Sequence, residues 1–491
     1  MKRREFIRTL GLGTAALAGS GALSPFLKCS GNNLTGGKPN FIIINVDDLG
    51  WTDLSSFGSE YYETPNIDRL AAQGMKFTNA YAACAVCSPT RAAIMTGRYP
   101  ARIGVTDWIH HLDAEAITAV STRKNPVEYV GGKRRKLLCP PNNYFMELDE
   151  VTIAEVLKDA GYTSCHVGKW HLGHFFWFPD KQGFDYNYGG TEIGQPPTYF
   201  DPYFLNKNRP SISTLPPRLE GEYLTDRESD EACGFIRKNA DKAFFLNMCH
   251  YAVHTPLQGK EELVEKYETK EKTNHKNPKY AAMIESVDQA VGRLLDTLDE
   301  LDLTERTVVI FTSDNGGLLG HSTDNSPLRS GKGYPYEGGI RVPLIVRWPG
   351  VVQAGSVSHI PVTSVDYFPT ICETSGAGLP RNHVIDGESI IPVLRNEGTM
   401  KREALYWHFP HYRGSDVVPY SIIRKGDWKL IKRYEGKEFE LFNLNDDLSE
   451  ENDLSDDMPE KVNELNAELE KWITDTGAKM PGENPDFEPG N

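Results

Sequence analysis

The segment Asn40-Phe-Ile-Ile-Ile-Asn-Val46, which runs directly into Asp47-Asp48, decides the fold class. An unbroken run of apolar and β-branched residues is typical of a strand that is buried on both faces of a sheet. Similar segments, separated by helix-like ones, follow at 163–167, 244–248, 307–312 and 342–348. This alternation predicts an α/β fold with a large, mostly parallel sheet and helices on both of its faces.

Helix signals fill the intervals between these strands. Thr64-Pro65 offers an N-cap and a first-turn proline, and Gly74 marks the end of that helix. The long segments 103–148 and 175–228 show no regular pattern, and such loops commonly shape a binding site. Further helices are predicted at 151–160, 230–237, 278–301 and 365–374.

After about residue 395 the pattern changes to short strands at close spacing. Gly426-Asp427 predicts a hairpin turn between two of them, and a helix is predicted at 459–474. We therefore expect a small antiparallel α+β domain beside the large one. Its predicted strands are 404–409, 421–425, 428–433 and 439–443.

Composition excludes several classes of protein. The chain has 491 residues and a formal net charge of −15, from 53 Lys and Arg against 68 Asp and Glu. This acidic balance argues against a nucleic-acid partner, because phosphate backbones are bound by clustered cations. Eight cysteines are too few for a disulfide scaffold. Because no run of 18 apolar residues occurs, we expect no transmembrane span.

Residues 1–35 are predicted to be an export signal and linker. A basic start is followed by a weakly apolar stretch that is rich in Gly and Ala. The pair Arg3-Arg4 with Phe6 resembles the bacterial twin-arginine signal, which predicts an exported, periplasmic protein. Cys29 is a candidate for a lipid anchor, although Lys28 before it is a poor match to such a site.

Two polar pairs follow predicted strands directly. Asp47-Asp48 closes the first strand, and Asp314-Asn315 closes the strand at 307–312. Ligands of open α/β sheets bind outside the carboxyl ends of the strands, where these pairs are expected to meet. Their oxygens suit Ca²⁺ or Mg²⁺ better than Zn²⁺. Asp is also a common turn former at such positions, which is the alternative interpretation.

Cys87 stands at the start of a predicted helix. Ser88 fits the N-cap and Pro89 the first helical position. The helix N-terminus stabilises an anion there, and Arg91 can bind an oxyanion with two hydrogen bonds. From the residues alone, Cys87 is also consistent with a reactive thiol or with a redox pair with Cys84.

Five motifs resemble those of the formylglycine-dependent sulfatases. Cys87-Ser-Pro-Thr-Arg-Ala-Ala-Ile-Met-Thr-Gly-Arg98 matches the signature Cys-x-Pro-x-Arg with its later Thr-Gly-Arg. The other motifs follow in the family's order: Gly168-Lys-Trp-His-Leu-Gly173, His254-Thr-Pro256, Ser313-Asp-Asn-Gly316 and Gly331-Lys-Gly-Tyr-Pro-Tyr-Glu-Gly-Gly-Ile-Arg-Val-Pro343. The resemblance covers about 38–475 and implies an alkaline-phosphatase-like fold. It predicts a catalytic domain over 36–395 and a C-terminal subdomain over 396–491.

The resemblance also implies a modified residue and a metal ion. The family's cysteine is oxidised to Cα-formylglycine, whose hydrate attacks sulfur, so Cys87 is expected to be converted by a formylglycine-generating maturation enzyme. Serine there would leave a stable sulfate ester. One Ca²⁺ ion is implied, with the ligands Asp47, Asp48, Cys87, Asp314 and Asn315.

The same resemblance assigns the remaining site residues. Arg91, Lys169 and Lys332 are the cations that offset charge on the sulfuryl oxygens. His171 fits the base that helps to release sulfate, and His254 fits the general acid that protonates the leaving sugar oxygen.

Two other classes of function share part of this pattern. Phosphomonoesterases and phosphodiesterases of the same fold usually use Ser or Thr as nucleophile and more His ligands for two Zn²⁺ ions, a set that this sequence lacks. A catalytically inert protein that binds sulfated glycans would show changes in the motifs, and we find none.

The expected partner is a sulfated carbohydrate. The sequence after the signature and the segment Tyr406-Trp-His-Phe-Pro-His411 resemble bacterial sulfatases that act on sugars from polysaccharides, which favours galactose or N-acetylgalactosamine sulfates. The basic run Lys133-Arg-Arg-Lys136 fits either a solvated loop or a patch that steers a polyanion. Candidate sugar-contacting residues, all polar and on predicted loops, are His110, His111, His321, Arg329, His408 and His411.

Overall fold

The structure is a computed structural model that describes residues 37–111, 114–204, 211–320 and 322–489. The predicted leader, with Arg3-Arg4 and Cys29, lies outside these residues, and so does the candidate sugar contact His321. In the described ranges, no helix is both long and apolar enough to cross a membrane.

Strands and helices alternate as the sequence predicts. The strands are β1 (Asn40–Val46), β2 (Met75–Phe77), β3 (Ala80–Tyr81), β4 (Leu137–Leu138), β5 (Thr163–Gly168), β6 (Tyr186–Tyr188), β7 (Phe244–His250), β8 (Thr307–Ser313), β9 (Leu344–Arg347), β10 (Ser356–Ser358), β11 (Val362–Thr363), β12 (Ala404–Phe409), β13 (Tyr420–Lys425), β14 (Trp428–Arg433), β15 (Phe439–Asn443) and β16 (Gly482–Glu483). The helices are α1 (Pro65–Gln73), α2 (Cys87–Thr96), α3 (Pro100–Ile103), α4 (Ala114–Thr122), α5 (Ile153–Asp159), α6 (Leu224–Lys238), α7 (Glu261–Thr269), α8 (Pro278–Glu300), α9 (Glu337–Ile340), α10 (Tyr367–Ser375), α11 (Ile391–Leu394) and α12 (Pro459–Thr476).

The main sheet has eight strands within the described residues, in the order β10-β2-β9-β8-β1-β7-β5-β6. The strands from β8 to β6 in this order are parallel to one another, while β9 is antiparallel to both of its neighbours. The predicted, mostly parallel α/β sheet is therefore confirmed. Its central strands all end at the same edge.

Helices cover both faces of this sheet, and β1 shows why its sequence is apolar throughout. Ile42, Ile44 and Val46 pack into a core with α1, α6 and α8. Phe41 and Ile43 point to the opposite face, where α2, α5 and α10 supply the packing. Because side chains of a strand alternate between faces, a strand covered on both sides needs apolar residues at nearly every position.

The small sheet is antiparallel, in the order β12-β13-β14-β15. Gly426, with φ of +58°, lies in the hairpin that pairs Lys425 with Trp428, so the predicted turn is confirmed. One face packs on α12 through Leu430 and Leu465, among others. Its other face packs on residues of β3 and of α9, and α9 is part of the last of the five motifs.

Some boundaries differ from the predictions. Helix α6 begins at Leu224 and not at residue 230, and β9 is shorter than the predicted strand 342–348. The segment 103–148 is not free of regular structure, because it contains α4. Helix α4 has only nine residues and weak apolar periodicity, which is why the sequence pattern missed it.

Candidate active site

The acidic pairs meet at the carboxyl edge of the sheet. Val46 of β1 pairs in register with Ser313 of β8, so Asp47-Asp48 and Asp314-Asn315 leave neighbouring strands at the same level. The backbone N–H of Asp48 donates to Asp314 Oδ1 at 3.2 Å, and all four side chains are buried. Asp48 has φ of +61°, a left-handed conformation that turns its carboxylate back toward this edge.

Each of the three carboxylates faces a cation. Lys169 Nζ lies 2.6 Å from Asp47 Oδ2, and Lys332 Nζ lies 2.6 Å from Asp48 Oδ1. Arg91 donates from Nε to Asp314 Oδ2 at 2.8 Å, with a second guanidinium nitrogen 2.7 Å from the same oxygen. These contacts bring together residues that lie far apart in the sequence.

The charges shift the protonation of this cluster. Burial raises the pKa of Asp47 against the opposing charge of Lys169, and Asp314 adds to the rise. Burial acts in the same direction on Asp48, but Lys332 and His254 outweigh it and hold its pKa below the usual range. At Asp47 the effect of burial thus outweighs the charge of Lys169, so a further positive charge beside Asp47 would lower its pKa.

The same edge offers donors for a hard cation. Asp47 Oδ1 and Asn315 Oδ1 are buried and have no hydrogen-bond partner among the described residues. Ligand atoms of Asp47, Cys87 and Asp314 lie within 4.8 Å of one another. Buried oxygens of this kind normally have a partner, and carboxylate and amide oxygens are the ligands that Ca²⁺ and Mg²⁺ prefer.

Cys87 is the first residue of α2 and is almost fully buried. The prediction that Ser88 is the N-cap of this helix is wrong. Val86, in an extended conformation, takes the cap position, and no side chain caps the helix. The Ser88 hydroxyl instead accepts a hydrogen bond from the backbone of Ile109 at 3.0 Å, which ties the following loop to the helix. Cys87 itself therefore occupies the N-terminus of the helix.

Two histidines stand beside Cys87 in the cavity. His171 donates from Nε2 to the carbonyl of Ile109 at 2.9 Å, and its buried Nδ1 has no hydrogen-bond partner among the described atoms. Burial and the charge of Lys169 lower its pKa well below the usual value, so the ring is neutral. Nδ1 then carries a lone pair, as a base requires.

His254 has the opposite arrangement. Its Nδ1 donates to the carbonyl of Thr255 at 2.9 Å, and its Nε2 lies 3.6 Å from Asp48 Oδ2. Burial, followed by the charge of Lys332, lowers the pKa of His254 to about 3. An anion bound between His254 and Lys332 would oppose the charge of Lys332, raise the pKa of His254 and so favour the imidazolium.

A cavity of about 1200 Å³ opens above this edge. Cys87, His171, His254 and Lys332 reach into it, and the predicted contacts His110 and His111 also line it. The residues that sequence analysis missed come from several loops: Asp107, Trp108, Ile193, Gln195, Tyr334, Tyr412, Arg413 and Asp416. Trp108 and Ile109 immediately precede the predicted histidines, whereas no local pattern singled out Arg413.

Three predicted sugar contacts lie outside the cavity lining. Arg329 donates to the carbonyl of Glu450 at 2.8 Å and stacks over an aromatic ring. His408 was expected on a loop, but it lies in β12, buried, and contacts Ser421 and a backbone carbonyl. His411 is buried against Thr106. The polar groups of these three residues form hydrogen bonds within the protein and do not face the cavity, and the residue type alone does not predict this.

The protein thus has the predicted alkaline-phosphatase-like α/β fold, with paired acids and cations at the carboxyl edge of the sheet and a cavity above them that Cys87 reaches. The family model described as Sulfatase matches residues 39–377. A second, described as N-sulphoglucosamine sulphohydrolase, C-terminal, matches residues 331–479. The chain belongs to the sulfatase family and is a sulfuric ester hydrolase.

Individual relatives agree with this assignment. The chain is 37% identical over 514 aligned positions to a protein called sulfatase from Formosa agariphila, and the match covers 90% of each. It is 34% identical to human N-acetylgalactosamine-6-sulfatase, with 77% of this chain and 69% of that protein covered. The crystal structure of Ps i-CgsB in complex with k-i-k-neocarrahexaose is similar with a TM-score of 0.75 and 30% identity, covering 93% of this chain and 96% of that one.

Proposed function

We propose that this sulfatase removes sulfate from a galacto-configured saccharide, with Cys87 converted to Cα-formylglycine and one Ca²⁺ ion at the carboxyl edge of the sheet. The observation that carries the proposal is the position of Cys87. It is the first residue of a buried helix, it reaches the cavity floor, and its sulfur lies within 4.8 Å of carboxylate oxygens of Asp47 and Asp314.

The residues at this edge fit a Ca²⁺ ion. Asp47, Asp48, Asp314 and Asn315 supply only oxygen donors, and two of these oxygens are buried without a hydrogen-bond partner among the described residues. No His that could act as a soft ligand belongs to the Asp47–Cys87–Asp314 cluster. Bound there, Ca²⁺ would supply positive charge next to the sulfate oxygens.

Side chains of the chain itself account for the remaining work. Lys332 lines the cavity, where sulfuryl oxygens would lie, and Lys169 adds its charge from a buried position beside Asp47, while Arg91 holds Asp314 in place. The formylglycine hydrate supplies the nucleophilic hydroxyl. His171, with a free lone pair on Nδ1, is placed to take a proton during release of sulfate.

His254 is proposed as the general acid. A sugar alkoxide is a poor leaving group and needs a proton, and His254 stands at the floor with Nε2 directed toward Asp48. In the described state, Nε2 lacks this proton because Nδ1 holds it. Binding of an anionic sulfate ester beside the ring would favour the doubly protonated form that the role requires.

The saccharide part of the proposal is supported by the wall of the cavity and by the relatives. Trp108 presents an aromatic surface, and its ring lies 3.6 Å from that of His110. An aromatic face packs well against the C–H groups of a sugar. One relative is an N-acetylgalactosamine-6-sulfatase, and one structural neighbour is in complex with k-i-k-neocarrahexaose. These names support a sulfated, galacto-configured saccharide as substrate.

We further propose the domain and address that the sequence predicts. Residues 36–395 would hold the reaction and 396–491 would complete the cavity wall, since Tyr412, Arg413 and Asp416 line it. Export to the periplasm after residues 1–35 and conversion of Cys87 by a maturation enzyme belong to the same proposal.

Three measurements on the purified protein test the proposed function. Mass spectrometry of the Cys87 peptide should show the mass of formylglycine, and metal analysis should show one calcium per chain. A screen of defined sulfated mono- and disaccharides should find turnover on galactose or N-acetylgalactosamine sulfates. Two zinc ions with turnover of phosphate esters would support the phosphatase alternative, and an unmodified thiol without turnover would support an inert glycan-binding protein.

A further inference from the structure

Arg413 differs from the cations at and beneath the floor of the cavity. Arg91, Lys169 and Lys332 each lie within 2.8 Å of a carboxylate oxygen. Arg413 lines the same cavity, is partly exposed, and has neither a hydrogen-bond nor an ion-pair partner for its guanidinium among the described residues. An unpaired guanidinium in a concave site is the group that would bind an oxyanion with two parallel hydrogen bonds.

The fold holds this side chain in place. The backbones of Arg413 and Val417 exchange two hydrogen bonds, at 3.0 and 3.2 Å, which fixes the loop between β12 and β13. Gly333, with φ of +90°, leaves the space that the side chain of Arg413 fills, because a Cβ on Gly333 would lie 2.3 Å from Arg413 Cδ. The side chain of Arg413 therefore packs against Gly333, which directly follows Lys332 at the floor of the cavity.

The two neighbouring carboxylates, Asp107 and Asp416, form no ion pair with the guanidinium of Arg413. Asp107, also in the lining, accepts a hydrogen bond from the backbone of Trp108 at 2.8 Å. Burial raises the pKa of Asp107 to about 7, although Arg413 opposes this rise. Asp416 accepts instead from the hydroxyl of Tyr334. The charge of Arg413 thus stays available to a ligand.

The cavity has room for more than one sugar. Its volume of about 1200 Å³ exceeds the roughly 300–1,000 Å³ that is common for sites of small ligands. A second arginine lies behind the loop of Arg413: Arg135 donates to the carbonyl of Gly414 at 2.5 Å and lies over the ring of Tyr412. In a chain with a net charge of −15, a positive charge that faces a cavity favours an anionic ligand there.

We infer that Arg413 determines specificity by binding a second oxyanion of the substrate, a sulfate or a carboxylate on the sugar next to the one that loses its sulfate. This inference rests on the proposed function and adds the substrate class: an oligosaccharide with anions on adjacent units. Arg413 would act through binding and not through the chemical step.

The test compares three substrates that share the same scissile sulfate: one with a neutral neighbouring group, one with a second sulfate, and one with a uronate. Arg413→Gln should lower kcat/KM by about 10–100-fold for the substrate whose anion Arg413 binds, mainly through KM, as expected when a charged hydrogen bond is lost. The substrate with the neutral group should change much less. Whichever anionic substrate responds identifies the anion.

Two further variants complete the design. Arg413→Lys keeps the charge but not the planar fork and should give an intermediate loss. Arg381→Gln removes the same charge from an exposed position outside the cavity lining, so it should leave kcat/KM unchanged for all three substrates. Equal losses on all substrates for Arg413→Gln would overturn the inference.

Failure of the proposed function gives a different result. If the wild-type protein desulfates none of the three compounds, the proposed function is wrong. Calorimetry with the same compounds then still decides the role of Arg413, because the preference of the wild type for an anionic neighbour should disappear in Arg413→Gln. Equal affinity of the wild type for the neutral and both anionic compounds would exclude such a subsite.

Discussion

The floor and the wall of the cavity are built in different ways. Floor residues such as Asp47, Asp314 and Lys169 follow strands of one parallel sheet, are buried, and are paired charge against charge. Wall residues such as Trp108 and Arg413 come from loops, and one of these loops joins β12 to β13 of the small sheet. Under the proposed function, the sheet fixes the groups that would carry the reaction, while loops supply the groups that would distinguish substrates. Floor variants should therefore fail on every sulfate ester, and wall variants should fail selectively.

The largest effect is expected at the floor. Cys87→Ala removes the proposed nucleophile and should lower kcat by at least about 10³-fold on aryl and sugar sulfates alike. The protein should remain folded, because a cysteine and an alanine differ little in volume. Steady-state kinetics and a thermal unfolding curve check both statements.

Cys84→Ala provides the matched control for that variant. Cys84 is buried three residues earlier, in the core beneath the small sheet and not in the cavity lining. Activity should survive this change. Activity above one-tenth of wild type in Cys87→Ala would contradict the nucleophile assignment, and loss of activity in both variants would revive the redox pair.

The next effect separates the two histidines of the floor. His254→Ala should lose about 10²–10⁴-fold on a sulfated sugar and much less on an activated aryl sulfate, because a nitrophenolate scarcely needs a proton. His171→Ala should slow turnover of both substrates, since the base role proposed for His171 comes after the leaving group has gone. Kinetics of both variants on both substrates test this.

A trapped intermediate would give independent support. In His171→Ala, the peptide that contains Cys87 should gain the mass of a sulfate group during turnover. If His254→Ala loses the same factor on aryl and sugar sulfates, the general-acid role belongs to another group.

The floor of the cavity could be predicted from the sequence better than its wall. Asp47 and Asp314 could be placed because each follows a buried strand, and parallel strands bring their ends together. The resemblance to sulfatase motifs supplied Lys169 and His254. These residues can be predicted because each belongs to a short, continuous pattern in the sequence.

The remaining residues depend on contacts between distant segments. Ser88 matches a helix cap, but its hydroxyl bonds Ile109 instead, and a loop contact of this kind has no local signal. His408 is polar yet buried in β12, where Ser421 satisfies it. Arg413 becomes part of the cavity only because the small sheet packs on residues of β3 and α9, so no local pattern could identify it.

A third region, beneath the wall, sharpens the comparison because it should affect stability and not chemistry. Lys429 of β14 is buried between Glu337 of α9 and Glu450, with Nζ 3.0 and 2.8 Å from their carboxylates. Lys429→Met leaves the buried carboxylate of Glu450 without a cation, while Glu337 keeps Arg341 at 2.7 Å, and it should lower the free energy of unfolding by about 3–5 kcal/mol. Chemical unfolding measures this.

Lys425→Met, in the same hairpin, is the matched comparison. Lys425 pairs with Glu403 and Glu468 at the surface, where such pairs contribute about 0–1 kcal/mol. Activity per folded molecule should be retained in both variants. An equal, small loss of stability in both would show that the buried network adds nothing to the attachment of the small sheet.

The smallest effect concerns the pH dependence of that network. Burial raises the pKa of Glu450 from 4.5 to about 7, against the charge of Lys429. Because the folded chain then holds a proton that the unfolded chain releases above about pH 4.5, this group makes the free energy of unfolding fall as pH rises from about 4.5 to 7. The slope from one group is at most about 1.4 kcal/mol per pH unit.

Glu450→Gln cannot titrate, so its free energy of unfolding should fall less steeply than that of the wild type between about pH 4.5 and 7. Above about pH 8 the two curves should run parallel. Urea unfolding at several pH values measures the difference. Parallel curves from pH 4.5 to 7 would mean that Glu450 is already ionised in the folded protein, held so by Lys429, and that the network is balanced by charge as the floor of the cavity is.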